Sequence, residues 1–287
     1  MLRSLGLAVA AVAAVAAPLA AQEAEWTEVR ARRQAGGVES LSVDLEYIAG
    51  ELRIAPAGGD LLYDTRLRYD AARMRPERQW SVDDGAARLK FGFAGLGDDG
   101  DMELDFDDDE HGYLEMGLSE TVPTDLNITV GAALSEVDVG GIPLTGLAYH
   151  TGASDTEIRF DSPNPVELGR IELAVGAAEF SASGLGNARF QELELKGGVG
   201  DVTLDFTGEW AGDADVSIHM GLGSLTLVFP PELGVQIDKK GFLAALDAPG
   251  FTKVDGAWQS ESWDSAEHRL HVQLRAALGS IEVRQER

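Results

Sequence analysis

The chain has 287 residues, 44% of them apolar, with 34 glycines, no cysteine, and 23 basic against 49 acidic side chains for a formal charge of −26. That charge, with no basic patch visible along the chain, argues against nucleic acid as a partner. It leaves room for a basic partner, divalent cations or plain solubility in a salty medium. The lack of cysteine excludes disulfides, cysteine zinc sites and a lipid-modified N-terminal cysteine, so an exported domain here must be held by its own core.

Residues 1–21 read as a secretory signal peptide: Arg3 is the positive start, Leu5 to Ala17 is an apolar run, and Pro18-Leu19-Ala20-Ala21 ends in small residues. The run is about 13 residues, short of the roughly 20 that a spanning helix needs, and a retained N-terminal anchor is the alternative. No later stretch approaches spanning length. Residues 22–39, polar and carrying Arg30, Arg32 and Arg33, read as a lead-in linker.

From residue 40 to 287 the pattern predicts one all-β domain. Leu41, Val43, Leu45 and Tyr47 alternate with polar residues, and Leu52 and Ile54 resume the alternation after Ala49-Gly50, as half-buried strands do. Residues 61–69 and 88–93 alternate too, and Met74 to Gly85, with Pro76 and Asp83-Asp84-Gly85, makes a hairpin-like excursion with a turn. Residues 97–112 form an acidic loop holding Asp98, Asp99, Asp101, Glu103, Asp105, Asp107, Asp108, Asp109 and Glu110. The segment has neither the twelve-residue EF-hand spacing nor the calcium nonapeptide, so it reads as a solvated loop, with weak calcium binding as the alternative.

One sentence then recurs: residues mostly apolar at minus five, minus three and minus one, a glycine at zero, and mostly apolar residues again at plus four, plus six and plus eight. The zero glycines are Gly131, Gly152, Gly176, Gly198 and Gly221, spaced 21, 24, 22 and 23 residues apart. Ile48 takes the zero position in the first stretch. Near the C-terminus Leu278-Gly279-Ser280-Ile281 nearly copies Leu222-Gly223-Ser224-Leu225. A coil of about 22 residues cannot bury its apolar face alone, and stacking buries it. The expected fold is a single-stranded parallel β-solenoid of about seven coils, from Leu41 to Val283, with a β-sandwich as the alternative. The runs are too short for an outer-membrane barrel. The zero glycine either turns the backbone with positive φ or allows close approach of the next coil.

VGDVTLDFTG, MGLGSLTLVFPPELGVQI, AWQSESWDSAEHRLHVQLRAALGSIEV and LEYIAGELRI resemble the bacterial toastrack, or putative-adhesin, domains and the related C-terminal domain of LiaF-like cell-wall-antibiotic response proteins. The resemblance covers residues 40–283 and rests on structural motifs. It implies an extracytoplasmic β-solenoid without enzymatic activity, working in envelope-stress sensing or surface adhesion, and it carries over no catalytic residue. LiaF-like proteins have membrane helices before this domain, a departure that counts against a direct role in transmembrane signalling.

Among chemistry-bearing residues, His268 and His271 are three apart in a strand-like run and should face opposite sides, which does not suit a metal. GGVG and GLGS lack the Lys-Ser/Thr of a phosphate loop and read as corners. Outward carboxylates at plus five and plus seven (Glu136 and Asp138, Glu157 beside Arg159, Asp205 beside Thr203) could perform acid–base work on an acidic polysaccharide, although clustered arginines and exposed aromatics for a sugar are not visible on the outward positions. Trp258 and Trp263 are expected to pack near the last coil. No catalytic, cofactor-binding or metal residue is assigned. The sequence predicts a secreted, periplasmic or cell-surface binding or scaffold module, meeting an envelope protein or another copy of itself through its faces or ends. A polysaccharide-active enzyme is the alternative.

Overall fold

The computed structural model describes residues 24–95, 111–240 and 244–286. The signal-like segment and residues 96–110 of the acidic loop lie outside the described residues. The strands are β1 (Trp26–Gln34), β2 (Ser40–Ala57), β3 (Leu61–Asp70), β4 (Met74–Asp83), β5 (Ala86–Gly95) and β6 (Tyr113–Ser119). Then come β7 (Thr124–Asp138), β8 (Leu144–Thr151), β9 (Asp155–Arg159), β10 (Leu168–Ser183), β11 (Phe190–Asp205) and β12 (Ala214–Phe229). The chain finishes with β13 (Gly234–Lys240), β14 (Ala244–Asp247), β15 (Phe251–Val254), β16 (Ala257–Ser260) and β17 (Arg269–Gln285). The protein is all-β with a parallel core, as the alternating pattern predicted.

The long strands lie on one another in parallel ladders: β2 on β7, β7 on β8 and β9, these on β10, then β11, β12 and β17. The ladders preserve the sequence repeat, because Leu222, Gly223, Ser224 and Leu225 of β12 pair with Leu278, Gly279, Ser280 and Ile281 of β17. Parallel pairing removes the antiparallel sandwich.

Two apolar columns run the length of this stack. Leu45, Ile128, Tyr149, Leu173, Leu195, Ile218 and Leu274 are successive partners, none more than 1% exposed. Ile54, Val137, Ile158, Ala182, Leu204, Leu227 and Val283 form the second, all buried. Each large aliphatic rung stabilises the stack by about 1.5–3 kcal/mol. Further along, Phe206 and Phe229 stack with ring centres 5.2 Å apart and planes 14° apart.

Between the two columns the chain turns a corner, and the zero glycines explain it. A Cβ on Gly131 would sit 2.4 Å from the Ile48 carbonyl oxygen. The same holds up the stack for Gly152 on Gly131, Gly176 on Gly152, Gly198 on Gly176 and Gly221 on Gly198, at 2.8, 2.4, 2.7 and 2.5 Å. These glycines exist for close approach of backbones. Positive φ falls two residues later, at Gly50, Gly200, Gly223 and Gly279. Past the second column, links are pinned by buried asparagine. Asn164 accepts from the Leu144 amide and donates to the Leu144 and Ala188 carbonyls, tying one link to the coils on either side.

The sequence excursions become caps. Strand β2 is flanked by β7 on one side and by β5 and β6 on the other. Antiparallel strands complete this end: β4 on β5, β3 on β6, and β1 on β3. Residues 26–34, expected as linker, are therefore an integral strand, and residues 74–83 are a strand as well. Asp84 and Gly85, with φ of 46° and 82°, make the tight turn from β4 to β5. At the other end β17 lies between β12 and the pair β13 and β14, and the β15–β16 hairpin covers β13. Trp258 packs on the core there.

Candidate binding surface

The cap at the N-terminal end carries the densest cluster of functional groups. Outward residues of neighbouring strands line up as Arg30, Arg66, Glu115, Arg53 and Glu136, partner to partner across β1, β3, β6, β2 and β7. Strands about 4.8 Å apart put Arg30 and Arg53 about 14 Å apart. With Arg32 these arginines line a groove of about 520 Å³, floored by Ala55, Pro56, Ala57, Met116 and Gly117 and containing Asp64 and Glu115. The lining holds four guanidiniums and two carboxylates, and Glu28, Glu51 and Glu136 at its edge bring the local charge close to balance.

Arg30 and Arg66 are directly opposite, a pairing that like charges disfavour. Glu28 resolves it. Its carboxylate accepts from Arg30 Nε at 3.1 Å, from Arg66 Nε and Nη2 at 3.1 and 3.2 Å, and from the Tyr113 hydroxyl at 3.0 Å. Arg66, then Tyr113, pull the Glu28 pKa down to about 2. Arg32 forks onto Asp64 at 3.1 and 2.7 Å. Arg53 reaches Glu51 at 3.5 Å and Glu136 at 3.6 Å. Within the cluster Arg66 lies 5.3 Å over the Tyr113 ring; outside the groove Arg68 lies 4.7 Å over Trp26 and Arg33 4.2 Å over Trp80. Guanidiniums on aromatic faces lose little freedom when they bind, and their planar forks match carboxylate, sulfate or phosphate.

Clustered arginines beside an aromatic ring are not visible along the sequence, and they are present here. The groups are brought together by pairing between strands far apart in sequence. The signal available was the alternation Arg30-x-Arg32 and Arg66-x-Arg68, which puts arginines on one face of a strand.

Of the carboxylates singled out for acid–base work, Glu136 borders this cluster through Arg53. Glu136 and Glu157 are rungs of one ladder on an open face, held by Arg53 at 3.6 Å and Arg159 at 2.8 Å. Thr203 lies two strands further along, beyond Ser181. His271 packs edge-on against Trp263 at 5.1 Å, and His268 precedes β17. Among the described residues no group of three histidine or carboxylate side chains is placed to hold a metal. No helix among them is long and apolar enough to cross a membrane.

Fold and surface together define an all-β protein of stacked parallel strands with charged ladders outside. The chain belongs to the family described as the N-terminal domain of toast_rack, DUF2154, whose model matches residues 20–180 and again 164–228. The overlap of the two matches is what an internal repeat produces. No curated protein matches. Among solved structures, a putative cell adhesion protein from Clostridium sporogenes ATCC 15579 is similar at 17% identity and a TM-score of 0.48, over 91% of this chain and 100% of that one. A putative adhesin from Bacteroides fragilis NCTC 9343 is 12% identical with a TM-score of 0.30, over 90% and 97%. A third, from Parabacteroides distasonis ATCC 8503, is 11% identical with a TM-score of 0.30, over 91% and 98%.

Proposed function

We propose that this protein is an exported, non-enzymatic binding and scaffold module of the cell envelope, built as a β-solenoid of about seven coils with a cap at each end. In this reading the arginine groove takes an anionic group of an envelope polymer or protein. The observation that carries the proposal is the groove itself: four guanidiniums on a shallow surface, fixed by carboxylates and, at Arg66, by the Tyr113 ring. The arrangement favours holding over turnover. Glu28, the carboxylate bound by most donors, has a pKa of about 2, far too low for a general base near neutral pH. Surface adhesion and envelope-stress sensing are the two roles that such a module would serve, and capped ends favour contact through faces.

The test is binding of a polyuronate chain to immobilised protein, with product sizing by chromatography. The expectation is binding that weakens tenfold or more in Arg32→Gln/Arg53→Gln, with polymer length unchanged. Binding indifferent to both arginines would remove the groove from the reading. Shortening of the polymer would favour the second reading, an enzyme using Glu136 and Glu157.

A further inference from the structure

A different feature lies at the opposite end of the stack, six ladders and about 29 Å from the groove. At the corner, one residue after the zero glycine, the side chains point out. From β9 onward these positions are Ala153, Ala177, Val199, Leu222 and Leu278. Val199, Leu222 and Leu278 are register partners on β11, β12 and β17, and they are 53%, 48% and 49% exposed. An isolated surface leucine needs no explanation, whereas three in one column make a convex aliphatic ridge.

Three residues before each ridge member stands a second column. Lys196 pairs with His219, His219 with Arg275, and Arg275 with Lys240 of β13, all exposed. Lys196 is engaged by Glu194 at 2.9 Å. His219, Arg275 and Lys240 have no ion-pair or hydrogen-bond partner among the described residues, although the chain carries more than two acidic groups for each basic one. On the other flank the carboxylates run out along the same direction. Asp155, Glu179 and Asp201 are successive partners, and the column then continues as Ser224 and Ser280. Aliphatic size rises toward β17 and the carboxylates of this nearest column give way to serine, while one outward step further Glu282, paired with Arg284 at 2.8 Å, and Asp247 remain.

We infer that this corner is a docking edge for an anionic lipid surface, with Val199, Leu222 and Leu278 entering the interface and Arg275 and Lys240 meeting the headgroup phosphates. Charge complementarity selects this occupant: unpaired cations beside aliphatic tips, on an otherwise acidic protein, match an apolar medium edged with anions. Shape agrees with it. A convex ridge encloses no small molecule, and three half-exposed side chains fall far short of the roughly 800 Å² that each partner contributes to a stable protein interface. Repulsion of the distant acidic surface is screened beyond about 8–10 Å in physiological salt.

The experiment is flotation of the full chain with vesicles of phosphatidylglycerol and phosphatidylcholine in equal parts, against phosphatidylcholine alone. Melting curves and light scattering are recorded alongside. The expected result is binding to the mixed vesicles only. Leu222→Ser/Leu278→Ser should reduce it tenfold or more, and Lys240→Gln/Arg275→Gln should weaken it and flatten its salt dependence, both with an unchanged melt. Equal flotation of the wild type and the leucine variant would overturn the proposal, since binding would then reside elsewhere, as in the N-terminal apolar run. No flotation, or equal binding to both vesicle types, would also overturn it. A dimer that the leucine substitutions dissolve would show that the ridge joins two copies and refute the lipid surface.

Discussion

Substituting the corner glycines tests the architecture most directly, and Gly221→Ala is the sharpest case. The added methyl would stand 2.5 Å from the Gly198 carbonyl oxygen, where ordinary contact begins at 3.4 Å. One backbone must retreat by about 0.9 Å. A ladder hydrogen bond of ordinary length does not survive that stretch. Losing two such bonds costs about 2 kcal/mol net, and overpacking strain adds about 1–3 kcal/mol. The expected loss is therefore about 3–5 kcal/mol, read as a urea midpoint lower by about 1–1.5 M. Gly223→Ala should lose more, because its methyl would lie 1.8 Å from the Gly200 oxygen and its φ is 139°. Thr203→Ala, outward on a neighbouring ladder, should stay within about 0.5 kcal/mol of wild type. If Gly221→Ala matched Thr203→Ala, the close-packed backbone corner would be wrong.

Asn164→Ala should cost about 2–4 kcal/mol by thermal melting, because it removes the side-chain donor to the buried Leu144 and Ala188 carbonyls. Phe229→Ala, emptying a ring site that is fully buried and stacked on Phe206, should cost about 3–5 kcal/mol in the same assay. Glu28 supplies a pH prediction. Its folded pKa of about 2 lies below the ordinary glutamate value of 4.5, so the stabilisation it brings is complete above about 4.5 and fades as the pH falls toward 2. Carboxylate NMR should find its midpoint near 2 and, in Arg66→Gln, displaced toward 4.5; a wild-type midpoint near 4.5 contradicts the network.

Strand character was readable from local alternation because one face of each strand is buried, as at Leu193, Leu195, Val202 and Leu204. The corner was readable because only glycine permits backbones so close, and the column from Gly131 to Gly221 recurs at one-coil spacing. Which glycine takes positive φ was not readable, since Gly198 and Gly200 look alike in a string of letters. The first strand was misjudged for a related reason. Residues 26–34 form an edge strand with mostly exposed side chains, so they lack the period-two apolar signal and read as linker, whereas residues 74–85, equally exposed, were legible as a hairpin-like excursion through their turn. Both candidate surfaces were invisible because they are columns across strands: Arg30 meets Arg66, and His219 meets Arg275, only through pairing.

The placement of β17 has a mechanical consequence. The final strand of the chain is an interior strand of the stack, held along its length by β12 on one flank and by β13 and β14 on the other. Tension applied near the C-terminus pulls along the strand and loads both ladders in shear at once, so the bonds must fail together rather than unzip in turn. Force spectroscopy with the pulling point at Gln285 should accordingly show a high rupture force as the first event. A tether attached there could carry load without peeling the protein from its end.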